Sequence, residues 1–226
     1  MSKGVLGLGC SYTWAEGLYY YSDIEDSKNL LSEYHMFEQS KIRKPHILYK
    51  NKHSFTNLVS ENFNTWSHIG AGNGGDNVFT FKQRITTLFQ KDVFDISDFG
   101  LIIIQITDPT RNLNYSPAEQ LEYIDHYCNH WESMGVKCVT LSWFGEIPSL
   151  DEYKNAFKHR HVPLVYRGET YDCFDPILRL DNTDVTIASD FNKKGLQKND
   201  LHFNLKGHRL IADLIIKKLE EDNFTL

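Results

Sequence analysis

Ser11 and His202 are the two side chains whose types and surroundings point to covalent chemistry. Ser11 lies in Gly7-Leu8-Gly9-Cys10-Ser11-Tyr12-Thr13-Trp14, a small-residue turn between an apolar run and a segment able to start a helix. A serine in such a turn stands at the carboxyl end of a sheet strand. The helix N-terminus beside it offers free N–H groups that can hold developing negative charge. His202 lies far along the chain in Asn199-Asp200-Leu201-His202-Phe203-Asn204-Leu205-Lys206-Gly207-His208, where it supplies a base with an acid, Asp200, two positions before it. A hydroxyl at one end and an Asp/His pair at the other are the parts of an acyl-transfer catalyst.

Other clusters carry less specific chemistry. His126 and His130, four apart on a helix with Cys128 between them, are half of a metal site. Zinc needs further ligands at a shaped spacing, so they read as surface histidines, and no metal or cofactor is expected. His159-Arg160-His161 reads as a solvated turn. Trp14, Tyr19, Tyr20 and Tyr21 either line a sugar-stacking platform or pack over the core. Gly70-Ala71-Gly72-Asn73-Gly74-Gly75, between a strand and a helix, has the composition of a phosphate cradle. No strand about 20 residues further on ends in the acid that would grip a ribose. A nucleotide site also leaves Ser11 and the His202 block unexplained.

The elements that must position these residues alternate. Lys3 to Leu8, Thr65 to Ile69, Leu101 to Ile104 and Val136 to Leu141 read as strands, with a further short one around Val162 to Tyr166. Between them, Ser54 to Asn62 has Phe55, Leu58 and Val59 at helical spacing, and Asp76 to Phe89 has Val78, Phe81, Ile85 and Leu88. Ser116-Pro117-Ala118-Glu119 has the cap, the proline and the acid of a helix start, and that helix should end near Gly135. Leu205 to Leu219 is an amphipathic last helix. Strands alternating with helices imply a parallel sheet covered on both faces. The loops Gly9–Thr13, Gly70–Asn77 and Gln105–Arg111 would then gather at one edge, with the His202 segment able to reach it.

A chain of 226 residues with 41% hydrophobic and 13% aromatic residues suffices for one α/β domain. Excursions from the core are expected at about 19–50 and 145–198. The net charge of −6 argues against a broad nucleic-acid surface. No apolar run approaches the ~20 residues that cross a bilayer, so no membrane partner is expected. Cys10, Cys128, Cys138 and Cys173 form no CxxC pair and are expected as free thiols. The N-terminus lacks a signal peptide's apolar region. The expectation is a cytoplasmic protein, and a viral source is as compatible with it as a bacterial one.

The chain resembles the SGNH, or GDSL-type, hydrolase family. The likeness rests on Gly9-Cys10-Ser11-Tyr12-Thr13 for the first block, Gly70 to Asn77 for the glycine block, and Leu101–Gln105 with Ile106-Thr107-Asp108 for the third. Asp200 to Ala212, with its histidine, asparagine, Gly-His and apolar helix, matches the last. The resemblance implies a three-layer α/β/α sandwich with a five-stranded parallel, flavodoxin-like sheet, and hydrolysis of carboxylic esters, acetyl esters included. It implies Ser11 as nucleophile, with Cys10 turned back toward the core, and His202 as the base that returns its proton to the leaving alkoxide. The oxyanion donors would be the N–H groups of Ser11 and Gly74 and a side-chain amide from the third block.

Three positions depart from the family pattern. Cys10 stands where the family has aspartate. The acid position three before the histidine is Asn199, so either Asp200 orients His202 or a backbone carbonyl does. The donor position of the third block falls on Asp108, or on Thr107 if shifted by one. An ionised carboxylate can only accept hydrogen bonds, so Asn73, Asn77 or Arg111 would donate instead of Asp108. The implied partner is a small-molecule or glycan ester. The departures also fit a catalytically weak relative that binds a glycan or a protein through the same pocket.

Overall fold

The computed structural model describes residues 2–10, 13, 15, 18–21, 44–71, 81–82, 85–90, 93–107, 116–143, 153, 155–192 and 201–226. Among them, the apolar runs form strands β1 (Gly4–Gly9), β2 (Ser67–Ala71), β3 (Phe99–Ile106) and β4 (Lys137–Ser142). They pair in parallel in the order β2-β1-β3-β4. Leu101 to Ile104 are at most 1% exposed because both faces of the sheet are covered.

The sheet has four strands where five are expected. The fifth position holds only a parallel bridge between Thr140 and His161. There the Thr140 N–H donates to the Arg160 carbonyl and the Val162 N–H to the Thr140 carbonyl, both at 2.9 Å. Pro163 follows and has no N–H for a ladder. The chain then forms a hairpin of its own, β5 (Leu164–Tyr166) with β6 (Glu169–Tyr171). Its two-residue turn has positive φ at both Arg167 and Gly168 (53° and 84°), the backbone a tight hairpin requires.

Helices cover both faces. On one lie α2 (Phe55–Asn62) and the last helix, α6 (Leu205–Glu221), around Val5, Leu101, Ile103, Val139, Ile211 and Ile215. On the other lie α3 (Pro117–Ser133) and the helical segment bearing Phe81, Ile85 and Leu88, around Leu6, Ile102 and Ile104. The caps form as the residue types predict. Ser116 and Glu119 make a reciprocal capping box, Ser54 accepts from the Asn57 N–H, and Asn204 accepts from the Gly207 N–H. A cap of this kind contributes about 1 kcal/mol. Short helices α4 (Phe174–Leu178) and α5 (Ile187–Asn192) fill the segment that has no apolar period.

Two elements differ from a reading of hydropathy. Helix α1 (Lys44–His53) forms although its apolar residues have no period, and the side chains it buries are His46 and Lys50. Exposed Ile47 and Leu48 lie on its outer side. His159-Arg160-His161 is not a solvated turn, because Arg160 is fully buried. Its guanidinium donates to Glu132 at 3.1 and 2.7 Å, to Asn129 at 2.6 Å and also to Asp125, all on α3. Among the described residues, no helix is long and apolar enough to cross a membrane.

Candidate active site

The carboxyl rim of the sheet is built first by β1 and β3. Gly9 ends β1, and a Cβ there would come within 2.3 Å of Thr13 Oγ1 and 2.9 Å of Gln105 Cβ. Only glycine lets the chain fold back this tightly. Cys10 follows and is buried. Its N–H and its thiol both donate to Gln105 Oε1, at 3.1 and 2.8 Å, while Gln105 Nε2 donates to the Ile106 carbonyl. Cys10 therefore faces the core, as expected, and Gln105 ties the end of β1 to the end of β3 immediately before Ser11. Sequence reading missed Gln105, since a glutamine ending an apolar strand carries no motif.

After the turn, Thr13, Ala15 and Leu18 are fully buried, Ala15 at φ 58°. A short 3-10 helix, Leu18–Tyr21, follows. Beyond β3, Thr107 is half-buried, and its hydroxyl is enclosed with no hydrogen-bond partner. Of the expected site residues, His202 and Thr107 are described. Ser11, Asp200, Asn73, Gly74, Asn77, Asp108 and Arg111 lie outside the described residues, as does Asn199.

His202 reaches this rim through the direction of α6. In the first turn of α6, His208 Nδ1 accepts the N–H of Phe55 at 3.2 Å, at the head of α2. Helix α2 leads down to the start of β2, so its head lies at the carboxyl rim. At the other end of α6, Asp222 pairs with Lys137 at the start of β4. Leu226, just beyond, lies where a Gly100 Cβ would meet it, near the start of β3. The helix thus runs from rim to base, and half-buried His202 precedes its head. Phe203 packs edge-on against Phe174 with ring centroids 4.9 Å apart, and the next residue, Asp175, donates its N–H to the Trp143 carbonyl at the end of β4.

The segment bearing His202 is held by its backbone. The Ile187 N–H donates to the His202 carbonyl at 2.9 Å, and Thr186 bridges Phe203. His208 is buried and its pKa is lowered to about 3, by desolvation first and then by the positive charges of His202, Lys50 and His53. It is therefore neutral at pH 7 and free to accept the Phe55 N–H. The second histidine of the block is a helix cap in the core, not a base.

The other clusters separate. His126 and His130 are exposed while Cys128 is buried. Among the described residues, no group of three or more His, Cys, Asp or Glu side chains comes together as metal ligands. None of the four cysteines forms a disulfide, and all four are buried.

A parallel sheet in this order between two helical layers is an α/β/α sandwich. Two solved structures share it over nearly the whole chain. One is a protein assigned to the G-D-S-L lipolytic family from Desulfitobacterium hafniense DCB-2, with a TM-score of 0.56 at 9% identity, covering 96% of this chain and 100% of that one. The other is the psychrotrophic esterase EstA from Pseudoalteromonas sp., inhibited by monoethylphosphonate, with a TM-score of 0.51 at 10% identity, covering 97% and 98%. At these identities the likeness is one of fold. No family model matches the chain, and no curated protein matches its sequence.

Proposed function

We propose that this protein is a serine hydrolase of carboxylic esters, with Ser11 as nucleophile and His202 as general base. The observation that carries the reading is the placement of His202. It precedes the head of α6 at the rim where β1 ends, two residues before Ser11. In this mechanism Ser11 Oγ attacks the ester carbonyl as His202 takes its proton. His202 then protonates the departing alkoxide, and water repeats the cycle to release the acid. Asp200 orients the imidazole and stabilises its charged form. The tetrahedral oxyanion is held by N–H groups of Ser11 and Gly74 and by the Thr107 hydroxyl. That hydroxyl is a neutral donor where the adjacent Asp108 carboxylate could only accept.

Short acyl esters and acetylated carbohydrates are the first substrates to assay. Ser11→Ala and His202→Ala should each lower kcat by about 10³-fold or more while leaving the melting temperature near that of the native chain. Full activity in both variants would end the proposal. The substitutions at Cys10 and Asn199 favour a second reading, a weakly catalytic protein that binds a glycan or protein in the same pocket. Labelling with a fluorophosphonate separates the two, since the absence of an adduct on Ser11 selects the binder.

A further inference from the structure

A nucleophile and a base that lie far apart in the chain must be held within about 0.5 Å of a productive geometry. Cys10 and Gln105 fix the approach to Ser11, but His202 belongs to no helix or strand. We propose that Asp190 is the positioning residue that sets the register between the two halves of the site. It does so by accepting hydrogen bonds from Tyr21, on the segment that follows Ser11, and from Asn204, on the segment that carries His202. The proposal rests on the Ser11–His202 reading above.

Two hydrogen bonds converge on one carboxylate oxygen, and the place of that residue in the fold is a third observation. The Tyr21 hydroxyl donates to Asp190 Oδ2 at 2.7 Å, and Asn204 Nδ2 donates to the same oxygen at 2.9 Å. Both bonds are half-buried and have a charged acceptor, the kind that contributes most to holding a geometry. The third is the location of Asp190 on α5, whose first N–H, that of Ile187, already holds the His202 carbonyl. Helix α5 is therefore a shared post, holding the His202 carbonyl through its backbone and Asn204 through its side chain.

Each end of the latch is tied to buried residues. Tyr21 closes the 3-10 helix that begins at buried Leu18, whose N–H donates to the carbonyl of buried Ala15 at 3.3 Å. Tyr21 is thereby tied to the buried residues Ala15 and Leu18 on the segment that follows Ser11 in the chain. Asn204 is the N-cap of α6. Its amide nitrogen also donates to the carbonyls of Asp184 and Thr186, at 3.0 and 3.1 Å, and its oxygen accepts the Gly207 N–H at 2.9 Å. It cannot shift without His202, two residues earlier. Nothing in the order of residues announces the link, because Tyr21, Asp190 and Asn204 come from three separate segments.

Tyr21→Phe removes one hydroxyl and no apolar contact, so it is the informative variant. It should lower kcat on a short acyl ester by about 10-fold with KM within about 2-fold and the melting temperature within about 3 °C. The double variant Tyr21→Phe/Asp190→Ala should be no slower than Asp190→Ala alone, as expected for residues that act as one unit. A readout independent of activity is the histidine NMR spectrum. The His202 ring signals should shift or broaden in Tyr21→Phe while those of exposed His159 stay in place. Unchanged kcat with unchanged His202 signals, or losses that multiply in the double variant, would overturn the latch. A native protein that cleaves no ester, yet whose His202 signals respond to Tyr21→Phe, would overturn the hydrolase reading and leave the latch standing.

Discussion

An enclosed hydroxyl without a partner costs about 1–3 kcal/mol, and Thr107 carries one at the end of β3. The cost is reasonable if the hydroxyl donates to something that binds, and wasteful otherwise. Thr107→Val keeps the shape and removes the donor. Its expected outcome is a melting temperature equal to or above that of the native protein. Alongside it, kcat should fall by about 10²–10³-fold, the usual effect of one missing oxyanion donor. Thermal denaturation and steady-state kinetics on the same sample check both halves. An unchanged kcat would return the donor role to Asn73, Asn77 or Arg111. Cys10 is a different case. With Gln105 it forms a buried thiol–amide contact that has no charge to desolvate.

Among the elements, the fifth sheet position is the most informative. A single bridge is too little backbone pairing to hold an edge, and side chains take over. Arg160 reaches three residues on one face of α3, while Tyr153 joins Thr140 at 3.1 Å and His161 at 2.7 Å. Arg160→Leu should destabilise the fold by about 2–3 kcal/mol. This is below the 3–5 of a fully buried pair because Asp125 and Glu132 keep 32% and 27% of their side-chain surface in solvent. Urea denaturation measures the loss. Hydrogen exchange at the Val162 amide should rise before that of Ile103 in the central strand. Helix α1 follows a related logic. Its inward residues are His46 and Lys50, so no apolar period marks it.

For the whole molecule, His208 ties stability to pH on the acid side. His208 has its folded pKa lowered to about 3 against 6.5 when unfolded, so its contribution is complete above pH 6.5 and is lost as pH falls toward 3. The slope in that window approaches about 1.4 kcal/mol per pH unit. His53 and His68 are lowered as well, burial being the first cause in each, and act with the same sign. Unfolding free energies measured between pH 7 and 4 should therefore decline, and less steeply in His208→Gln, which does not titrate there. Equal slopes in the two proteins would remove His208 as the cause.

Order along the chain was enough to reveal the alternation of strands and helices, the cap at Ser116, the buried run from Leu101 to Ile104 and the pairing of Ser11 with His202 as candidates. Those features depend on neighbours a few residues apart, whose spacing and type act locally. Tertiary structure alone decided that Gln105 holds Cys10, that His208 caps α2, that Arg160 is buried, that the fifth strand shrinks to one bridge and that Asp190 joins Tyr21 to Asn204. Each of these is a contact between distant segments, made by a polar side chain whose partner is set by where the backbone has already been brought. Hydropathy is silent about such partners, because a buried cation or imidazole and a solvated one are written with the same letter.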